Sequence, residues 1–343
     1  MKPLSVAIIG TGNIAGGYDA KKTDGDAGIY THAGAYAAHG GFELRTVFDV
    51  DGRAAESFCS TWKAGGIATE LGDIYRGFHD VVSICTPDHT HFDIVRNLLA
   101  ADCCRTVFVE KPIATDLSQI EEIIRLARQT DIQVVVNFQR RYDPVHLEVR
   151  NLIASSPGIV LSVDAHYMKG LRHIGITMVD TITYLCGYPT AVQAFNRVRN
   201  QEVDDYSYEF ILYYPDFTVA VKTTDVVSVV YNYHVFEIDL LLRDRRLALV
   251  DNSQRIKEAP VTGYAYSGVK VLNEREAKYR ETGYKLSMKD AAGYIFDVTN
   301  GNTAHAVNTP QASFNNLLII NRIIESFDQG AVKLFLEPES WKK

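Results

Sequence analysis

"SVAIIGTGNIA", residues 5–15, runs an apolar stretch straight into Gly10-Thr11-Gly12-Asn13-Ile14-Ala15, a G-x-G-x-x-A spacing. The apolar run reads as a buried strand. The first glycine permits a tight turn, and the second lets backbone approach a pyrophosphate. Ala15 lets the following helix pack close, with its first N–H groups toward the phosphates. In a chain of 343 residues with 24 glycines such a spacing arises by chance, so its meaning comes from its place directly after a strand.

That place recurs. "FELRTVFDV" (42–50), "DVVSICTP" (80–87), "TVFVEKP" (106–112) and "DIQVVVNF" (131–138) are near-continuous runs rich in Val, Ile and Phe. Between them "THAGAYAAHG", "HFDIVRNLLAAD" and "LSQIEEIIRLARQT" carry apolar residues at helical spacing. Strands alternating with helices imply right-handed βαβ units and a parallel sheet covered on both faces.

After about residue 155 the pattern changes. "SYEFILYY" (207–214), "FTVAVKTTD" (217–225) and "VFEIDLLL" (235–242) follow one another across short turns, which predicts an antiparallel sheet. "MVDTITYLCG" (178–187) and "SFNNLLIINRIIESFDQG" (313–330) read as helices beside it. The expected fold is α/β: a Rossmann-type doubly wound domain over 1–137, then a second α/β domain over 138–343 with a mostly antiparallel sheet. Apolar positions such as Ile211, Tyr213, Leu240 and Leu242 suggest a face buried against another copy, hence a homodimer or homotetramer. "YNYH" (231–234) reads as sheet surface or an oligomer contact.

A net charge of −7, without a Lys/Arg block, argues against nucleic acid as partner. No apolar run reaches membrane-span length, and "MKPLSVAIIG" enters a strand at once, so the expectation is a cytoplasmic protein with no signal peptide. Five cysteines without Cys-x-x-Cys spacing predict neither a disulfide framework nor structural zinc. Asp88, His89 and His91 lack further ligands at suitable spacing, so no metal is expected and a loop or helix start is the better reading.

Asp49, ending the second strand, is placed to bind the ribose hydroxyls of NAD, which favours NAD over NADP although Arg53 follows closely. Its distance from the glycine loop is lengthened by "GGYDAKKTDGDAGIYT" (16–31), an insertion that is either a polar surface loop or a flap over cofactor or substrate. Ligands of doubly wound sheets lie beyond the carboxyl ends of the strands. Lys111 therefore faces the cleft, and Cys85-Thr86-Pro87 takes the equivalent place on the neighbouring strand.

"VSICTPDHTH" followed by "VFVEKPIATD", behind G-x-G-x-x-A, resembles the glucose-fructose oxidoreductase / inositol dehydrogenase / MocA (Gfo/Idh/MocA) family over essentially the whole chain. The resemblance implies a nicotinamide-dependent oxidoreductase of a sugar or cyclitol. It places Gly10, Gly12, Asn13, Ile14, Asp49, Thr86, Pro87, His91, Glu110 and Lys111 around NAD. Lys111 would also hydrogen-bond the substrate oxygen, where hydride transfer leaves charge that needs a proton or a cation. Glu110 would anchor the turn or pair nearby. The insertion and "QRRYDP" resemble members linked to surface-polysaccharide modification, which suggests a nucleotide-linked sugar.

One motif departs from the family. Where D-x-G-x-H-x-x-D is usual, this chain has "HIGITMVD" (173–180): Gly175 and Asp180 match, His173 stands at the acidic position, and Thr177 replaces the acid/base histidine. A threonine hydroxyl stays protonated near neutrality and cannot be that base. His173, Lys111 alone, or a tyrosine such as Tyr167 or Tyr142 would have to serve. Tyr167, His173, Thr177, Asp180 and Arg141 are the candidate substrate contacts, Arg141 for an anionic group. Asp180 touches substrate or anchors its helix. Two rivals stand beside the dehydrogenase: a nicotinamide-binding sensor without catalysis, and a glycosidase that uses NAD redox transiently.

Overall fold

The computed structural model describes residues 2–200, 204–225, 234–263, 268–303 and 307–337. Tyr231, Asn232 and Tyr233 lie outside them. The chain divides into two compact units, Met1–Asp143 with Lys285–Phe314, and Pro144–Tyr284 with Asn315–Lys343.

The first unit holds a five-stranded, wholly parallel sheet in the order β2-β1-β3-β4-β5. The strands are β1 Leu4–Ile9, β2 Phe42–Phe48, β3 His79–Ile84, β4 Cys104–Glu110 and β5 Gln133–Asn137. Every residue of β1 is buried, as expected for a central strand with both faces covered. After β1 the chain makes a wide helical turn, Asn13–Gly17, and one turn of α1, Tyr18–Ala20. Only after the insertion does α2, His32–His39, begin; the Thr31 hydroxyl caps it by accepting from the Gly34 N–H, and Gly40 at φ 72° ends it. Then come α3 Gly52–Trp62, α4 Leu71–Arg76, α5 His91–Ala101 and α6 Leu117–Ala127. The Asp51 and Asp116 carboxylates cap α3 and α6.

The last cover comes from far along the chain. Besides α7 (Pro144–Ser155) and α8 (Ile176–Cys186) in the second unit, there are α9, Ser287–Thr299, and α10, Pro310–Asp328. Met288, Ala291, Ala292 and Ile295 of α9 form an i, i+3, i+4, i+7 stripe that joins the core of Val6, Ile8, Ala33 and Tyr36. Thr299 meets Thr106 at 2.8 Å, and the Asn308 carbonyl accepts from the Val136 N–H at 2.9 Å. The first unit thus runs six residues past 137 and takes back 285–314, which a division at 137/138 does not contain.

The second unit adds β6 Val160–Tyr167, β7 Ala191–Asn200, β8 Asp205–Tyr213, β9 Thr218–Thr223, β10 Phe236–Leu242, β11 Arg245–Val250, β12 Arg255–Gly263, β13 Lys270–Leu272, β14 Lys278–Glu281 and β15 Leu334–Phe335. Among the described residues they form a ten-stranded sheet in the order β13-β12-β11-β10-β6-β9-β8-β7-β15, with β14 beside β12. It is antiparallel except for β6 (Val160–Tyr167) beside β9 (Thr218–Thr223). The expected strands appear as β8 Asp205–Tyr213, β9 and β10 Phe236–Leu242. Leu240 and Leu242 are both buried, on one face, while Ile211 and Tyr213 stay half-buried. No helix among the described residues is long and apolar enough to cross a membrane.

Candidate active site

At the carboxyl ends of β1, β2 and β3 a cleft of about 810 Å³ opens, lined by Gly10, Gly12, Asp49, Val50, Thr86, Pro87 and neighbours from α4 and α5. Its volume is in the range of small-ligand sites. Gly10 sits at φ +85°, and a Cβ there would lie 2.8 Å from the Cys85 backbone, so only glycine allows β1 to turn against the end of β3. A Cβ on Gly12 would meet nothing within 4 Å. Nothing in the protein requires that glycine; its bare backbone faces open space, as close approach by a phosphate demands.

Asp49 ties this loop to β2. One carboxylate oxygen accepts from the Thr11 N–H at 2.7 Å and the Thr11 hydroxyl at 2.8 Å; the other accepts from the Asp51 N–H at 2.9 Å. Partial burial works against its charge, but the N–H donors of Asp51 and Thr11 and the Thr11 hydroxyl outweigh it, so the pKa lies below the ordinary value. A carboxylate offers about four acceptor positions, which leaves room for a ribose hydroxyl beside these bonds. The residues present therefore fit a dinucleotide.

Lys111 follows β4, joined to Pro112 by a cis peptide bond. Burial lowers its pKa; the Glu110 and Asp88 carboxylates pull it part of the way back, and the Arg140 guanidinium pushes it down further. A desolvated lysine whose ammonium is less favoured is better placed to exchange a proton near neutrality.

Behind the lysine lies a buried polar network. The Glu110 carboxylate is 2.9 Å from His32 Nε2 and accepts from Asn137 Nδ2 at 2.6 Å. His32 Nδ1 reaches the Ser83 hydroxyl at 3.2 Å, and Ser83 meets the Tyr36 hydroxyl at 2.6 Å. Burial raises the Glu110 pKa, yet the hydrogen bond and charge of His32, with Asn137 and Lys111, bring it below the ordinary value. Glu110 thus faces inward and not the cofactor cleft, which corrects its expected place among the cofactor contacts.

His91 needs the same correction. It is fully buried, with Nδ1 2.7 Å from the Pro112 carbonyl and Nε2 2.7 Å from the Thr86 carbonyl. It clamps the two strand-end loops together and has no edge left for a cofactor. Asp88–Thr90 forms a short turn ahead of α5, and no group of three metal-type ligands converges among the described residues. Asn13 is exposed on the wide turn, and Ile14 lines a second cavity.

Arg140 and Arg141 follow β5 at adjacent positions. Arg140 is buried beside Lys111, whereas Arg141 donates to the Val307 carbonyl at 2.9 Å and lies over the Phe138 ring. Arg141 ties down the returning segment, a use at odds with its expected contact to a substrate anion. Tyr142 packs on Tyr294 at 5.5 Å, and burial drives its hydroxyl pKa far up, away from proton transfer near neutrality.

The remaining candidates belong to the second unit. Tyr167 is a core residue there: its hydroxyl donates to the Tyr208 carbonyl at 3.0 Å and accepts from the Tyr208 N–H at 2.7 Å. Full burial removes it as proton donor and as substrate contact, a second correction among the tyrosines. Asp180 is buried and accepts from Asn316 Nδ2 at 2.6 Å, the anchoring one of its two readings. His173 is exposed on the wide turn Gly170–Gly175, and its N–H bonds Asp205. The Thr177 hydroxyl oxygen is buried without a hydrogen-bond partner among the described residues.

The comparisons with known proteins bear on the family and the fold. Residues 4–138 match the family described as "Oxidoreductase family, NAD-binding Rossmann fold", the Gfo/Idh/MocA family. The inositol 2-dehydrogenase of Rhizobium meliloti is 30% identical over 36% of this chain and 36% of its own length. The D-glucoside 3-dehydrogenase of Escherichia coli is 25% identical over 59% of each, and the uncharacterized oxidoreductase YhhX of the same organism 29% over 44% of this chain and 48% of its own. Each match spans less than two thirds of the relative. A solved levoglucosan dehydrogenase in complex with NADH and levoglucosan superposes with a TM-score of 0.79 at 16% identity, covering 97% of this chain and 99% of that one, which shows a shared fold.

Proposed function

With the chain a member of the Gfo/Idh/MocA oxidoreductase family by its NAD-binding domain, we propose that it moves hydride between NAD(H) and a hydroxyl-bearing carbon of a sugar, cyclitol or nucleotide-linked sugar. The observation that carries this is the pairing, on one carboxyl edge, of a glycine loop braced by Asp49 with a desolvated Lys111. Relatives that act on inositol and D-glucoside support the substrate class.

The Gly10–Gly12 backbone would hold the pyrophosphate, Asp49 the adenosine ribose, and Thr86 with Pro87 the wall opposite. Bound cofactor supplies or accepts the hydride. Lys111 handles the matching proton: its neutral amine takes the hydroxyl proton as the carbonyl forms, and its ammonium returns one in reduction. Thr177 stands where the family resemblance expects the acid/base histidine, and His173, four residues before it, is the candidate substitute. His173→Ala tests that substitute: if it takes the lost role, turnover falls by about 10²-fold or more with the fold intact, and unchanged turnover leaves Lys111 as sole proton carrier. A homodimer or homotetramer is part of the proposal, supported by the half-buried Ile211 and Tyr213, and light scattering of the purified chain tests it.

Nicotinamide absorbance, followed with NAD or NADH against a panel of nucleotide sugars, free sugars, inositols and their keto forms, tests the function. A change in NADH that depends on substrate supports it. The second reading, a sensor, is favoured by Thr177 alone; it predicts NADH binding with no turnover on any panel member. The redox-assisted glycosidase predicts released aglycone without net NADH.

Asp49 also makes a quantitative prediction. A 2′-phosphate beside its carboxylate meets like charge, so NAD is preferred over NADP. Asp49→Ala is expected to weaken NADH by about tenfold and NADPH by less. Equal losses for both would reduce Asp49 to a brace for Thr11.

A further inference from the structure

The 16–31 segment is a built structure. Asp19 accepts from the Thr31 N–H at 3.0 Å and the Thr31 hydroxyl at 2.6 Å, and from the Tyr30 N–H at 3.1 Å. Lys22 Nζ donates to the Gly28 carbonyl at 2.8 Å, and Asp26 accepts from the Gly28 N–H at 2.9 Å and the Tyr30 hydroxyl at 3.0 Å. The Ile29 N–H donates to the Lys285 carbonyl at 2.8 Å, fixing the segment to the returning chain of the same unit.

What this scaffold frames is a second cavity of about 430 Å³, lined by Ile14, Tyr18, Lys22, Asp26, Tyr30 and Gln139. It shares no lining residue with the dinucleotide cleft. It nevertheless belongs to the same carboxyl edge: Ile14 stands two residues beyond Gly12, and Gln139 two beyond Asn137, which pairs in register with Glu110, the residue before Lys111. The edge therefore offers room beyond what Gly10, Gly12 and Asp49 enclose.

The lining specifies a ligand. Tyr18 is 53% exposed, a large ring held toward solvent and available as an apolar platform. Around it stand an ammonium with donors to spare, a carboxylate and a primary amide that both gives and accepts. The charges offset one another, Lys22 and Lys285 against Asp26 and Asp19, so the cavity has no strong net attraction for a phosphate, and Asp26 would repel one. An aromatic face ringed by mixed donors and acceptors suits a neutral, hydroxyl-rich ring. We propose that this cavity is a recognition subsite for a neutral pyranose or cyclitol ring of the substrate, with Tyr18 as stacking platform and Gln139 and Lys22 as hydroxyl partners. The proposal rests on the oxidoreductase reading and adds to it where the substrate ring is read.

The test uses the whole chain saturated with NADH, with methyl α-D-glucopyranoside and myo-inositol as probes in saturation-transfer NMR. At least one probe is expected to receive saturation on its ring protons. Its affinity should fall by about fivefold to tenfold in Tyr18→Ala, persist in Tyr18→Phe, and fall in Gln139→Ala, with NADH affinity within about twofold throughout. Circular dichroism of each variant confirms folding. Probe binding unchanged in Tyr18→Ala overturns the subsite. So does NADH weakened by about tenfold in Tyr18→Ala, since the cavity would then serve the cofactor. Absence of probe binding at tens of millimolar while NADH binds overturns it too. Failure of the wild type to bind NADH at all would instead overturn the proposed function, a separate result.

Discussion

Lys111→Met is expected to lower turnover by about 10²–10⁴-fold, the span that general acid–base catalysis contributes, while NADH affinity stays nearly unchanged. Methionine keeps the length and apolar stem of lysine but can neither donate nor accept the proton. The same substitution should leave stability equal or higher. Burial holds the Lys111 pKa below its ordinary value, so at neutral pH the native state bears the cost of a desolvated ammonium. A base whose folded pKa is lowered binds fewer protons when folded, so wild-type stability rises with pH between the folded pKa and about 10.4. The variant lacks that rise. Steady-state kinetics with denaturation at two pH values check both parts, and near-normal turnover would remove Lys111 from the chemistry.

Glu110→Leu is expected to destabilise the fold strongly, by about 1–3 kcal/mol for each of the two buried groups that lose their acceptor, His32 and Asn137. Glu110→Gln keeps one carbonyl acceptor and should lose much less. The acid limb carries a sign. The Glu110 pKa is depressed on folding, so the stability it lends is present above about pH 4.3 and is lost as pH falls through the folded value. Wild type and Glu110→Gln should therefore converge in acid. Urea midpoints at equal m-values measure this, and a Glu110→Leu midpoint equal to wild type would mean the network contributes nothing.

The parallel sheet was legible because its inner strands β1, β3 and β4 are largely apolar on both faces and end in punctuation, Gly10 after β1, Pro87 soon after β3 and Pro112 after β4. Lys111 and Asp49 were legible for the same reason, since a strand end in this fold is a place in the cleft. What stayed hidden depends on distance along the chain. The α9 stripe at 288, 291, 292 and 295 is visible as a helix face, but no local pattern tells that it covers β1 and not the second sheet. His32 opens a helix whose sequence only marks the end of an insertion, and Ser83 is a lone hydroxyl inside an apolar run. Only folding brings them to Glu110, 78 residues from His32. His91 and Tyr167 lie near motif residues in sequence, but their side chains are spent on backbone groups, the Thr86 and Pro112 carbonyls for His91 and the Tyr208 peptide groups for Tyr167.

The most direct measurement is a titration of the purified chain with NADH and with NADPH, followed by nicotinamide fluorescence. Saturable NADH binding with NADPH at least about tenfold weaker is the predicted result, from the open Gly12 backbone and the Asp49 carboxylate in one cleft. No saturable binding of either nucleotide would contradict the dinucleotide site and, with it, the role given to Lys111.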